Sequence, residues 1–146
     1  SSIKVGSAKN LNRMLPDGDA KARYQYAFGY LRKREFEKAG LALKEFLITH
    51  PDDSLVPNAM YWLGETYYTR GKYEDAAEIF ISGYEQHPKS SKTPDNLLKL
   101  GLSLLKLERR TDACIAFAQL LSEFPNSSKS LIRRAINARK RHGCAA

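Results

Sequence analysis

The sequence predicts an all-α solenoid: three stacked helix pairs plus a C-terminal capping helix. Two observations predict it. A block recurs at steps of 37 residues, visible in Ala27, Gly64 and Gly101, in Ala39, Ala76 and Ala113, in Leu43, Phe80 and Phe117, and in Pro51, Pro88 and Pro125. A fixed period of this size marks one supersecondary unit laid against the next. Within each block, apolar residues return every three or four positions, the spacing of an amphipathic helix.

Residues 1–18 lack periodicity and contain Gly6, Pro16 and Gly18, so they read as a linker or disordered tail. The repeat domain is expected over 19–146, with Asp19 as the first N-cap. Its repeats fall at about 20–51, 57–88 and 94–125, and the capping helix at about 128–142. In the first repeat Ala20, Tyr24, Ala27, Phe28 and Leu31 form one stripe, and Phe36, Ala39, Leu43, Phe46 and Leu47 a second. The second repeat uses Ala59, Trp62, Leu63, Thr66 and Tyr67, breaks at Arg70-Gly71, and resumes with Tyr73, Ala76, Ala77, Phe80 and Tyr84. The third uses Leu97, Leu98, Leu100, Gly101 and Leu104, then Ala113, Phe117, Leu120 and Leu121. Glycine inside a helix costs about 1 kcal/mol relative to alanine, so Gly64 and Gly101 imply close approach of the partner helix. Ala39, Ala76 and Ala113 are expected to face those small residues, with Leu43, Phe80 and Phe117 filling the space between copies. Arg109-Arg110-Thr111 stands where the other copies carry Phe36 or Tyr73, which predicts a looser turn in the third repeat.

A chain of 146 residues with 42% hydrophobic content can build one domain with a shared core. No apolar run approaches the roughly 18 residues of a membrane helix, so direct membrane insertion is not expected. The net charge of +8 divides into +5 over 1–38, −3 over 39–125 and +6 over 126–146. A mildly acidic middle between basic ends is not the continuous stripe of a nucleic-acid binder. No Ser/His/Asp set, phosphate-cradling loop or carboxylate pair stands out, so neither catalysis nor a cofactor is expected. His50 and His87 precede Pro51 and Pro88 and read as helix-end cations suited to the C-terminal dipole, not metal ligands. Cys114 and Cys144 form no CxxC motif, which argues against structural zinc. Counted outward from the turn near Asn126 they come out roughly opposite. Either they form a disulfide in an oxidising compartment, or one is a buried small residue and the other an exposed thiol.

Trp62-Leu63-Gly64, Tyr67, Ala76, Phe80 and Pro88 resemble the tetratricopeptide repeat, whose usual period is 34. The surplus here lies in the links Pro51–Pro57 and Pro88–Pro94. The runs Pro57–Tyr68 and Pro88–Gly101, and the ending Arg141-His142-Gly143-Cys144, are similar to the Tol-Pal-associated cell division coordinator family. That resemblance implies a periplasmic protein exported by a signal peptide, with a trimerising coiled coil ahead of its repeats. It further implies association with TolA and with the peptidoglycan synthase machinery, coupling outer-membrane constriction to septal wall synthesis. Neither a signal nor a heptad seam is present, so the chain is expected to be the C-terminal domain of such a protein. The alternative is a repeat adaptor of another envelope complex, for lipoprotein assembly or secretion.

In stacked helix pairs the first helix of each pair lines the concave face. Turned away from the core stripe of the second repeat are Asn58, Tyr61, Glu65 and Tyr68. Stepping by 37 adds Lys21, Tyr24, Phe28 and Leu31, then Asp95, Leu98, Leu102 and Leu105, and finally Ile132, Ala135, Arg139 and His142. The predicted groove suits an amphipathic helix or extended segment, with Tyr61 and Tyr68 as anchors. The competing reading is that Tyr24, Phe28, Leu98 and Leu102 extend the core. The basic terminal helix reads as a solubilising cap or, alternatively, as a surface for an acidic partner.

Overall fold

A computed structural model describes residues 13–145 and contains seven α-helices over that span. They are α1 (Ala20–Arg32), α2 (Phe36–Thr49), α3 (Val56–Thr69), α4 (Tyr73–Gln86), α5 (Thr93–Lys106), α6 (Arg110–Glu123) and α7 (Lys129–Arg141). Each packs on the next in chain order, giving the expected solenoid of three pairs and a cap. The first helices also approach one another, α3 against α5 and α5 against α7; second helices come no comparably close, so α1, α3, α5 and α7 line the inner wall.

Tight turns fix the pairs. Arg34, Gly71 and Glu108 follow α1, α3 and α5 in left-handed conformation, with φ of 60°, 75° and 59°. Behind each, a backbone N–H reaches back to the helix: Glu35 to Tyr30 at 2.9 Å, Lys72 to Tyr67 at 2.8 Å, and Arg109 to Leu104 at 2.9 Å. This is a Schellman close, which satisfies carbonyls left open at a helix C-terminus. The turn of the third repeat is therefore as tight as the others, contrary to the expectation from its missing aromatic. Backbone hydrogen bonds hold it, and they need no ring.

Phe46, Phe80 and Phe117 are fully buried at the centre of two continuous clusters. A Cβ added at Gly64 would lie 2.5 Å from Phe80 Cε1, and one at Gly101 would clash with Phe117 Cε1. The glycines thus make room for the phenylalanines of their own pair, a correction to the expected glycine–alanine facing. In the first repeat Ala27 stands at the glycine position and Leu43 at the phenylalanine position, so an extra methyl meets a smaller partner.

Both ends are tied. Glu45, 1% exposed, accepts hydrogen bonds from Met14 N (2.5 Å), Leu15 N (3.1 Å) and Arg23 Nη2 (3.1 Å). Arg23 also donates to Pro16 O at 2.6 Å and to His50 Nε2 at 3.2 Å. His50 does stand at the C-terminal end of α2, and its ring faces the Arg23 guanidinium there. Of the tail expected over 1–18, residues 1–12 lie outside the described residues, while Met14 to Pro16 are strapped onto the first pair. At the other end Cys114 and Cys144 are joined by a disulfide with Cα atoms 5.6 Å apart. Arg139 Nη1 donates to Cys114 O at 2.9 Å, and Arg110 Nη1 to His142 O at 2.9 Å.

Candidate protein-binding groove

The inner wall carries a chain of side chains passed from one first helix to the next. Burial raises the pKa of Tyr24, and the neighbouring Asn58 side chain pulls against that rise. Phe28 meets Trp62 edge-on at 5.2 Å between ring centres, and Arg32 lies over Phe28 at 5.1 Å. One repeat on, Glu65 takes the place of Phe28 and Lys99 that of Trp62, and the aromatic pair becomes an ion pair at 3.1 Å. The same register thus carries different chemistry at successive steps.

The middle of the groove is its most polar part. Lys99 lies 4.8 Å from the Tyr68 ring centre, a cation–π distance, while also pairing with Glu65. Lys92 projects from the second link over Tyr61 at 4.9 Å and Trp62 at 5.3 Å. Arg134 of α7 acts electrostatically on Tyr61, Tyr68 and Asp95. Burial raises the Tyr61 pKa far above the usual phenol range, helped by Glu65 and Asp95 and opposed by Arg134. Burial also lifts Tyr68, with Tyr73 and Glu65 adding to it. Asp95 is raised above 3.8 by burial even though Lys92, its own backbone, Arg134 and Lys99 pull it down. Three cations therefore face two acids, one of which is reluctant to ionise.

Sequence reasoning and structure differ at several of these positions. Tyr61, Glu65, Tyr68 and Asp95 come together. Tyr24 and Phe28 form an aromatic wall with Trp62 at the N-terminal side, and Asn58 stands beside Tyr24. Lys21 does not join them; it is exposed in a hollow with Tyr24, Gln25, Asp53, Ser54 and Leu55 of the first link. Leu98 is 1% exposed and belongs to the core, so it offers no groove surface, while Leu102 is half-buried against the same cluster. Tyr61 is 7% exposed and acts more as wall than as protruding anchor. On α7, Ala135 is fully buried and Arg139 is turned to α6, so Arg134 serves the groove in their place. Sequence reasoning missed Trp62, Lys92, Lys99 and Arg134. The 37-residue step from Trp62 to Lys99 was available, but Trp62 reads as core in its own repeat.

No group of three or more His, Cys, Asp or Glu side chains placed to hold a metal occurs among the described residues. Among those residues no helix is long and apolar enough to cross a membrane.

Profiles of the tetratricopeptide repeat match residues 19–91 and 95–127. A curated relative, the cell division coordinator CpoB of Pseudomonas putida, is 37% identical over 51 residues, which is 35% of this chain and 19% of that protein. The aligned stretch thus spans about a fifth of the curated relative's length. Among solved structures, MamA (AMB-1) superposes with a TM-score of 0.65 at 22% identity over 86% of this chain and 65% of its own. The N-terminal domain of stress-induced protein-1 from C. elegans gives 0.66 at 15% identity, over 82% of this chain and 94% of that one. These two likenesses concern the fold. Profile match, 37-residue register and helix-pair stack agree: the chain belongs to the tetratricopeptide repeat family.

Proposed function

We propose that this chain is the repeat domain of a periplasmic cell division coordinator, a protein-interaction scaffold with no chemistry of its own. On this reading its concave groove holds a segment of the Tol-Pal machinery, with TolA and the peptidoglycan synthase machinery as partners. Outer-membrane constriction would thereby be coupled to septal wall synthesis. The full-length protein would carry a signal peptide and a trimerising coiled coil. The observation that carries the reading is the 37% identity to CpoB within the repeats. Tetratricopeptide repeats serve protein–protein contact generally, and the groove has the chemistry for it.

That chemistry narrows the occupant. The N-terminal part of the groove is aromatic (Tyr24, Phe28, Trp62), the middle is charged, and the C-terminal part is aliphatic (Leu102, Leu105, Ile132). Lys92, Lys99 and Arg134 against Glu65 and Asp95 leave the middle with a surplus of positive charge. The best match is an extended or helical stretch with apolar residues at both ends and a carboxylate between them. Bound there, the carboxylate would compete with Glu65 for Lys99.

The test is a pull-down from envelope extract with the chain as bait, repeated with Tyr68→Ala and Lys99→Glu. Tyr68 packs partly against the core and the Lys99 side chain is 15% exposed, so circular dichroism checks that both variants stay folded. Recovery of TolA by the parent and its loss with Lys99→Glu is the expected outcome. Equal recovery by all three baits places the contact elsewhere and overturns the groove assignment. Failure of the parent to recover any Tol-Pal component overturns the proposed partner.

A further inference from the structure

The outer wall has a feature the groove does not use. Between α4 and α6, above α5, lies a cleft of about 570 Å³ floored by Ala77, Leu100, Leu104, Leu107 and Ala116. Ile81 and Ile115 flank it at 40% and 54% exposure, two of the four large hydrophobic side chains exposed among the described residues. Glu74, Glu78 and Asp112 stand on its rim. Asp112 is paired with Arg109 at 2.8 Å, whereas Glu74 and Glu78 take part in no ion pair among the described residues.

The repeat register shows why this cleft is open. At the equivalent place one repeat earlier, Tyr67, Arg70 and Lys44 stand where Leu104, Leu107 and Ile81 stand here. Lys44 lies over the Tyr67 ring at 5.4 Å, and Arg70 crosses α2 beside Gly40 to reach Glu37 at 3.8 Å. Long side chains with polar tips cover the first interval. Three aliphatic residues leave the second one bare and apolar. Exposed apolar surface of this kind, rimmed by polar residues, marks an interaction site.

The complement is on the same chain. Helix α7 carries six cations and no acid. Ile132 and Ile136 lie one turn apart on it, in a shallow hollow with Lys129 and Arg133, and Ile136 is 38% exposed. We propose that the α4–α6 cleft receives α7 of a second copy of this chain. Ile136 seats between Ile81 and Ile115, and Lys129 and Arg133 face Glu74 and Glu78. The contact joins two different patches, so it is heterologous. A dimer keeps one free cleft and one free α7, so association continues head to tail.

Sedimentation velocity on the 146-residue chain, from about 10 μM to about 1 mM, spans the range of a weak interface. Two variants at exposed positions, Ile115→Asp and Ile136→Asp, break the cleft and the α7 patch separately. Circular dichroism and thermal unfolding check that both stay folded. The parent is expected to rise in mass with concentration, and each variant alone to stay at 16.5 kDa. An equimolar mixture should give a one-to-one dimer and nothing larger, because only one intact cleft meets one intact α7. A parent that remains monomeric, a variant that associates like the parent, or a mixture that stays monomeric would each overturn the proposal.

Discussion

Asp95 sits in the middle of the groove against its own charge preference. Burial holds its carboxyl above 3.8, and the pull of Lys92, Arg134 and Lys99 does not cancel that effect. The folded chain therefore keeps a proton at a pH where the unfolded chain has lost it. Its contribution to stability falls as pH rises from 3.8 through the higher folded value. Asp95→Asn is expected to be more stable than the parent at neutral pH, with the advantage gone well below the ordinary carboxylate range. Urea unfolding at both pH values measures this; an advantage that grows in acid would contradict it. The position of Asp95 was legible as one 37-residue step from Asn58. Its environment was not, because it depends on Lys92 in a link and Arg134 on a helix turned from the repeat register. Leu98 was misplaced for a related reason: side chains at the wall of a solenoid face both groove and neighbour, and size decides which wins.

Helices and turns were the most legible scale, because each is specified locally. The 3.6-residue stripes and the prolines bounding the links mark all seven helices, and Pro57 and Pro94 occupy first turns as their missing N–H allows. The turns were less so. Gly71 is readable as a left-handed residue, but Arg34 and Glu108 adopt the same conformation without its freedom. Left-handed backbone costs a non-glycine residue about 1 kcal/mol. Glu108→Gly should therefore stabilise the chain by about 0.5–1 kcal/mol, raising the urea midpoint at unchanged slope. A lower midpoint would mean that Glu108 makes a contact worth more than its strain. The glycine–phenylalanine pairing within α3–α4 and α5–α6 also belongs here. The sequence contains its signature, since Ala27 goes with Leu43 while Gly64 goes with Phe80, but only packing identifies the partners.

At the scale of the whole molecule, repeats contact only their neighbours, so stability is built pair by pair and the ends are the weak points. The Cys114–Cys144 bridge, spanning 30 residues of sequence, closes a loop that contains most of α6, the last link and α7. In the chain-entropy account a loop of that size is worth about 3–4 kcal/mol. Urea unfolding with and without reductant is expected to differ by about that amount; equal midpoints would show that the bridge adds nothing. The two ends are therefore unlike. The C-terminal end is stapled covalently, whereas the N-terminal end hangs on one buried carboxylate, Glu45, and the guanidinium of Arg23. A solenoid fastened in this way has a direction of unravelling. Pulled or heated, it opens from the first pair and stops last at the staple. A partner hauling on the chain from its N-terminal side would draw it out one helix pair at a time, like a tether with a knot at its far end.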